Sequence, residues 1–297
     1  MNEIMNINTV QQYNDYFGIE TRHPLVSVID GREAKPLRFC RKLYNLYAIL
    51  LKDTDCGQLK YGRSIYYQKG AMLFLAPGQV LGSEDDGLLH QPEGWVLVFH
   101  PELLRGTPLA HIMRDYSYFS YYANEALHLS GQERKTVIEC MERIKEELQY
   151  PIDKHSKSLI TDNIKLFLDY CTRFYDRQFI TRENTNQDTF ARFEALLNEY
   201  FNSGKPALYG IPSVPYCAEK LCLSPNYLSD LLKKETGLSA LKHIQQKTLE
   251  IAKERVYNTK KTISEISCEL GFPYPQHFSR WFKKMAGCTP NEYRAAN

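Results

Sequence analysis

The chain has 297 residues, of which 43% are hydrophobic, and carries 37 basic and 35 acidic side chains. This length and composition predict a globular protein with room for two separate cores, and they argue against a mainly disordered chain. The first twelve residues are polar, and the longest apolar run near them, 46–51, is too short to span a bilayer. We therefore expect no membrane segment and a cytoplasmic location.

The first 125 residues predict strands and turns. Apolar or β-branched runs at 43–51, 64–67, 71–75 and 95–99 are separated by glycine and proline. Short strands with such boundaries are typical of an all-β barrel or sandwich, which we place at about residues 20–125.

Aromatic side chains are concentrated in these strands. Tyrosine hydroxyls orient small ligands against apolar walls, so the aromatic residues predict an effector pocket; the alternative is that they form the core of the barrel. Arg38, Arg41 and Arg63 are candidates for binding an anionic effector. The candidate pocket residues are Tyr44, Tyr47, Tyr66, Phe74 and Trp95.

The sequence gives little support to an enzyme or a metal site. None of the 8 histidines forms a His-x-His pair, although His90 and His100 flank the 95–99 strand. A nucleophile elbow, a phosphate loop and a dinucleotide fingerprint are all missing from the sequence. We expect no catalytic residue, no metal and no cofactor.

Two helices are predicted at about 130–178. Ser130 and Glu133 form a capping box that opens a helix at 131–149, and a second helix follows at 154–177. One of their apolar stripes must cover the strands; the other is either buried in the same chain or meets a partner chain. The polar segment 181–188 is the predicted linker, with Asp188 or Thr189 capping the next helix. The predicted domains are therefore a sensor or dimerisation domain at 1–180 and a second domain at 189–297.

A sequence phrase occurs twice in the second domain. Residues 225–237 return as 275–287, with proline, serine, both lysines and glycine repeated at an offset of 50. Proline suits a first helical turn and glycine suits the position after the last turn, so each copy predicts a helix. Shorter helices precede them at 214–221 and 263–270, across turns at 222–224 and 271–274. Each copy thus predicts a helix-turn-helix.

Polar side chains opposite the apolar stripes predict DNA contacts. Arginine binds guanine through two hydrogen bonds, asparagine and glutamine pair with adenine, and lysine binds phosphates. Asp230 is the exception, because an acid weakens binding unless it accepts from a cytosine amino group. The alternative is an ordinary solvated surface. The candidate DNA-binding residues are Asn226, Tyr227, Ser229, Asp230, Lys233, Lys234, Tyr274, Gln276, His277, Ser279, Arg280, Lys283 and Lys284.

From about residue 190 to the end, the chain resembles the DNA-binding domain of the AraC/XylS family of bacterial transcription regulators. The resemblance is carried by Leu-Ser-Pro-Asn-Tyr-Leu-Ser at 223–229 and by the aromatic, lysine, glycine and proline pattern at 278–294. Asp230 departs from the basic or amide residues common at its position, and Pro275 stands where a polar residue is frequent. These departures affect the exact base contacts.

The resemblance implies an architecture for the whole chain. In that family a long helix, here 241–257, joins two helix-turn-helix motifs that enter successive major grooves, and a cupin-like sensor barrel that binds a small effector usually precedes them. The helices after that barrel often dimerise. The predicted fold class is α+β and multidomain: an N-terminal cupin-like β-barrel with following helices, then an all-α domain with two helix-turn-helix motifs.

The sequence therefore predicts a sequence-specific DNA-binding transcription regulator that binds double-stranded promoter DNA and responds to an unknown small effector. From residue 206 onward 13 basic side chains stand against 8 acidic ones, in keeping with phosphate binding. Contact with RNA polymerase and homodimerisation stay open. The alternatives are a small-molecule-processing cupin-like enzyme fused to a DNA-binding module, and a helix-turn-helix protein used only for protein contacts.

The 8 cysteines include no Cys-x-x-Cys pair. We expect reduced, mostly buried thiols rather than a redox switch or a metal site, with Cys217, Cys222 and Cys268 at core positions of the helix-turn-helix motifs.

Overall fold

The computed structural model describes residues 4–38, 40–52, 59–61, 64–66, 70–82, 85–181, 183–258 and 261–296. The chain divides into two compact units, Met1–Thr181 and Arg182–Asn297, here called the N-terminal and C-terminal units. None of the helices in these described ranges combines the length and the apolar character that crossing a bilayer requires.

The described part of the N-terminal unit contains two five-stranded sheets. Its strands are β1 (Met5–Ile7), β2 (Val26–Asp30), β3 (Lys42–Tyr44), β4 (Tyr47–Lys52), β5 (Leu59–Tyr61), β6 (Ser64–Tyr66), β7 (Ala71–Leu75), β8 (Gln79–Gly82), β9 (Gly94–Phe99) and β10 (Leu127–His128). The first sheet has the order β1-β3-β8-β5-β6 and the second β10-β7-β4-β9-β2. Among the described strands the two sheets stay separate, so the predicted closed barrel is not observed.

The predicted strand 43–51 is in fact two strands in different sheets. The chain bends at Asn45 and Leu46, and Leu46 is fully buried. Before the bend, β3 pairs antiparallel with β8 in the first sheet. After the bend, β4 lies between β7 and β9 in the second sheet. The prediction of one strand was wrong here because an apolar bend keeps the run hydrophobic while it changes the pairing partner.

Helix α1 (Val10–Phe17) closes one side of the core between the sheets, and the sequence analysis missed it. Its capping box is present, with the Thr9 hydroxyl accepting from the Gln12 backbone N–H at 3.1 Å. The core combines apolar side chains from this helix and from both sheets, among them Tyr13, Tyr44 and Leu73.

Further helices follow the strands: α2 (Pro101–Leu104), α3 (Pro108–Ile112), α4 (Gly131–Glu147) and α5 (Ser156–Thr181). The capping box at Ser130 and Glu133 is confirmed, and Arg177 of α5 donates to Glu133 at 2.8 Å. Helix α4 packs against α5 and β2, and α5 also packs against β10, so both helices bury apolar faces within the N-terminal unit.

The segment predicted as a linker, 181–188, is mostly helical. Helix α5 ends at Thr181 and α6 (Glu183–Asn202) begins at Glu183, so the cap predicted at Asp188 or Thr189 lies inside a helix. Asn186 and Thr189 are buried. A polar sequence therefore gave no irregular segment here, because polar residues such as these form helix when the helix packs on its neighbours.

All the regular elements in the described part of the C-terminal unit are helices. After α6 come α7 (Lys205–Tyr209), α8 (Val214–Leu221), α9 (Pro225–Thr236), α10 (Ala240–Asn258), α11 (Ile263–Glu269), α12 (Pro275–Ala286) and α13 (Pro290–Ala296). Helix α9 packs against α6, α8 and α10, and α12 packs against α10, α11 and α13. Helix α10 thus belongs to both halves of the unit: it follows the first pair of helices and precedes the second.

Candidate nucleic-acid interface

Both predicted helix-turn-helix motifs are present. The first consists of α8, a turn at 222–224 and α9; the second consists of α11, a turn at 271–274 and α12. The Ser224 hydroxyl caps α9 by accepting from the Tyr227 backbone N–H at 3.3 Å, and Gly237 and Gly287 end α9 and α12 in the left-handed conformation. We call α9 and α12 the two recognition helices.

The two recognition helices bury matching positions. Leu228 and Leu232 in α9 correspond to Phe278 and Phe282 in α12, and all four are fully buried. The positions of the four lysines, 233, 234, 283 and 284, are exposed in both copies. The match continues into the next helix, since Ala240 and Pro290 are buried at the first residues of α10 and α13. The repeated structural unit is therefore longer than the repeated phrase.

Of the 13 predicted DNA-binding residues, nine are exposed, three are half-buried and one is buried. Tyr227 is only 5% exposed and is buried in α9, so its contact with DNA stays a prediction. Ser229, Asp230 and Ser279 are half-buried. The exposed predicted residues are Asn226, Lys233, Lys234, Tyr274, Gln276, His277, Arg280, Lys283 and Lys284.

Helix α12 has the more polar exposed side. Gln276, Arg280 and Lys283 follow one another at spacings of four and three, so they form one stripe opposite Phe278 and Phe282. Within the described residues no hydrogen bond or ion pair engages Arg280 or Lys283. Their donors are therefore available to a ligand in solution.

Other basic residues of the second motif are used inside the protein. Arg294 donates to the backbone carbonyls of Val256 and Lys261, at 2.9 Å in each case. Arg255 and Lys261 both form ion pairs with Glu269. These contacts hold the connection between α10 and α11, and they divide the positive charge into a structural group and an exposed group on α12.

The connecting helix has the predicted position and a slightly greater length. Helix α10 spans Ala240–Asn258, or about 28 Å at 1.5 Å per residue. Ile244 and Thr248 are buried in its first half, and Ala252 and Val256 pack into the core of the second motif. Its length approaches the repeat of about 34 Å that separates successive major grooves on one face of DNA.

The turns of the two motifs begin with different residues, Cys222 in the first and Gly271 in the second. Cys222, the C-cap of α8, has φ 60°, and it is the one non-glycine residue with positive φ in the described ranges. The second turn has Gly271 at the equivalent place, with φ +83°.

Cys222 and Cys268 are exposed, so the prediction of core positions was wrong for both. Cys217 does lie in the core, where burial raises its pKa to about 11.

Replacing Cys222 with glycine is expected to stabilise the C-terminal unit. A side chain in the left-handed region costs about 1 kcal/mol, which glycine avoids at some cost in backbone entropy, so we expect a gain of about 0.5 kcal/mol. Cys222→Val is expected to lower the free energy of unfolding, because a β-branched residue tolerates this conformation poorly. Urea unfolding of the three proteins checks the order; a valine variant as stable as the glycine variant would contradict it.

The predicted effector residues do not form one pocket. Tyr44 points into the core between the sheets, whereas Phe74 packs on Tyr118 at a ring distance of 4.5 Å on the opposite, helix-covered face of the second sheet. Tyr47 stacks on Phe99 at 5.0 Å on that same face.

The described remaining candidates have other surroundings. Trp95 lies under the ammonium group of Lys145, at 5.6 Å. The side chain of Tyr66 and the whole of Arg63 are outside the described residues. Arg38 lies 3.9 Å from Asp85 and is mostly exposed.

His90 and His100 serve local structure. His90 lies 2.8 Å from the Asp86 carboxylate, and Nδ1 of His100 accepts from the Glu102 backbone N–H at the start of α2. In the described ranges no group of His, Cys, Asp and Glu side chains is arranged to hold a metal ion.

Comparison with known proteins locates the family resemblance in the C-terminal unit. A family model described as a helix-turn-helix domain matches residues 217–296. The arabinose operon regulatory protein of Escherichia coli (strain K12) is 36% identical over 78 residues, which cover 26% of this chain and 27% of that protein. Residues 217–296 therefore form a helix-turn-helix domain that is similar to the corresponding part of AraC-type regulators. The resemblance predicted from 223–229 and 278–294 is thereby confirmed.

A second curated relative is similar over a stretch of almost the same length. The Msm operon regulatory protein of Streptococcus mutans is 36% identical over 77 residues, covering 26% of this chain and 28% of that protein. Among solved structures, the C-terminal domain of AraT, a response regulator from Geobacillus stearothermophilus, is 29% identical and covers 37% of this chain and 85% of its own, with a TM-score of 0.33. The match to the curated relatives spans little more than a quarter of their length.

Proposed function

We propose that this protein is a sequence-specific DNA-binding transcription regulator that acts on promoter DNA in the cytoplasm. The observation that carries the proposal is the duplicated recognition helix: α9 and α12 both bury the apolar positions 228/278 and 232/282 and expose polar side chains suited to bases and phosphates. The relatives of the AraC-type domain are named as regulators, which favours this function over the alternative of an enzyme fused to a DNA-binding module.

The two recognition helices have different roles in this proposal. Helix α12 exposes Gln276, His277 and Arg280, whereas the equivalent positions of α9 hold exposed Asn226, buried Tyr227 and half-buried Asp230. We assign the larger share of affinity and of direct base contact to α12. Helix α9 then contributes narrower selectivity, in the sense that it selects at fewer base positions. A footprint in which the α9 half-site tolerates base changes less than the α12 half-site would overturn this ranking.

The N-terminal unit is proposed to be a cupin-like sensor of a small effector. Its two sheets enclose one core, and a cavity opens between them. Effector binding would change how the recognition helices are presented to a promoter. Homodimerisation and contact with RNA polymerase belong to the same proposal, with Leu159, Leu166 and Ile180 as exposed apolar residues of α5.

Selection from a library of random duplexes tests the DNA-binding function. We expect the full chain to enrich a bipartite motif whose half-sites lie about 10 base pairs apart, one helical turn, because α10 joins two recognition helices over a comparable distance. A variant with Gln276→Ala and Arg280→Ala should retain only one conserved half-site. A library that shows no enrichment after selection would refute the function.

A further inference from the structure

A cavity of about 130 Å³ lies between the two sheets of the N-terminal unit. Phe17, Leu50, Leu81 and Val96 contribute apolar walls, and residues 90–93 form part of its rim. An engineered protein cavity of about 150 Å³ is large enough for benzene. The space therefore suits a group the size of one aromatic ring or a short aliphatic chain.

Two lysines point into this cavity, one from each sheet. Lys42 shares its face of β3 with buried Tyr44, and Lys52 shares its face of β4 with Ala48 and Leu50, because side chains two residues apart lie on the same side of a strand. Both lysines line the cavity and each is only 7% exposed. Lysine is rarely so deeply buried without a partner of opposite charge.

The charge of Lys42 is not balanced by a carboxylate. Within the described residues its ammonium group has no acidic partner at ion-pair distance and lies 4.1 Å from the ring centre of Tyr16. Burial lowers the pKa of Lys42, and nearby Cys40 only partly offsets this effect. An anion entering the cavity would stabilise the charged lysine, since a desolvated charge is costly until it is paired.

A third polar group faces the same space. Tyr13 of α1 lines the cavity with 0% exposure, and its hydroxyl has no hydrogen bond of good geometry, although the Tyr44 hydroxyl is close by. Buried hydroxyls are normally hydrogen-bonded, so an unsatisfied one beside a cavity indicates a place for a ligand atom. The Tyr13 hydroxyl is a donor that a carboxylate oxygen accepts from.

We propose that this cavity binds a small organic monocarboxylate, with Lys42 and the Tyr13 hydroxyl binding the carboxylate and the apolar walls enclosing a short aliphatic or aromatic body. Exposed Glu93 at the rim disfavours a second negative charge, which is the reason for a monoanion. This inference rests on the proposed sensor role of the N-terminal unit and gives the chemical class of its effector.

Calorimetric titration of the full chain with hexanoate and 3-phenylpropanoate, each beside its primary amide, tests the inference. The amides keep the shape and remove the charge. We expect each acid to bind about tenfold or more tightly than its amide, because charge-assisted hydrogen bonds are the stronger ones. Lys42→Met should bring this ratio close to one, whereas Lys135→Met, a matched change at an exposed lysine of α4, should leave it unchanged. Equal affinity of acid and amide for the unmodified chain would overturn the inference.

Folding and function are separated by further measurements. Lys42→Met removes a desolvated cation, so the variant should keep or exceed the original Tm. If it unfolds instead, Tyr13→Phe decides: it removes one donor and should weaken acid binding several-fold without affecting the amide. A chain that binds its selected duplex but prefers no acid refutes this inference alone. A chain that prefers the acids through Lys42 but selects no duplex refutes the DNA-binding function and leaves the cavity assignment standing.

Discussion

Replacing Gly271 with alanine is expected to lower the free energy of unfolding of the C-terminal unit by about 3 kcal/mol, the sum of left-handed strain and overpacking. Gly271 has φ +83°, and a Cβ there would lie 2.4 Å from the carbonyl oxygen of Pro206 and 2.6 Å from Cα of Gly210. The neighbouring atoms belong to the backbone, so they cannot move aside as the end of a flexible side chain can.

Gly237→Ala is the matched control. Gly237 has φ +79° but nothing within 4 Å of its hypothetical Cβ, so alanine there should cost only about 1 kcal/mol of left-handed strain. Both variants also carry Trp95→Phe, so that the tryptophan fluorescence during urea unfolding comes from Trp281 alone. Trp281 packs on Phe272 at a ring distance of 5.1 Å. Equal losses at 237 and 271 would show that the close approach of the backbone does not constrain the second turn.

Replacing Arg280 with alanine is expected to cost about 1–3 kcal/mol of binding on the selected duplex and to relax one base preference. The side chain is exposed in the polar stripe of α12, and no hydrogen bond or ion pair in the described residues holds it. It can therefore supply two parallel hydrogen bonds to a guanine edge. Fluorescence anisotropy with the selected duplex and its single-base variants measures both effects.

Lys283→Ala is the companion variant. Its ammonium group is suited to a phosphate, so its loss should weaken all duplexes alike and reduce the salt slope by about 1. Lys283 also lies in the last turn of α12, where a cation stabilises the helix end, so its Tm is compared with that of Arg280→Ala. If Arg280→Ala leaves the ratio of specific to random affinity unchanged, α12 does not contact bases through this residue.

Local signals explain why the helix-turn-helix motifs were predictable. Proline in a first turn, Ser224 as a cap and glycine after the last turn fix the ends of α9 independently of the rest of the chain. The same pattern did not predict that Tyr227 is buried while His277, at the equivalent position, is exposed. His277 lies against the ring of Tyr274, the N-cap of α12, which stands where the first motif has Ser224.

The face of each strand in the second sheet was not predictable in the same way. One face of this sheet packs on the core between the sheets and the other on helices, so β2 and β7 are buried at every residue. Strands buried on both faces lose the alternation that shows which side chains share a face. Phe74 and Tyr44 were therefore assigned to one pocket although they lie in different layers. The alternation that places Lys42 beside Tyr44 and Lys52 beside Leu50 was present in the sequence, but it was recognisable only once β3 and β4 were separate strands.

The central claim, that two recognition helices bind a specific DNA sequence, is tested most directly by the affinity of the full chain for its selected duplex and for a shuffled duplex of the same composition, measured across salt concentrations. We expect the selected duplex to bind about a thousandfold more tightly, with the affinity for both falling linearly in log–log form as salt rises. Equal affinity for the two duplexes, or no salt-dependent binding to either, would contradict the account.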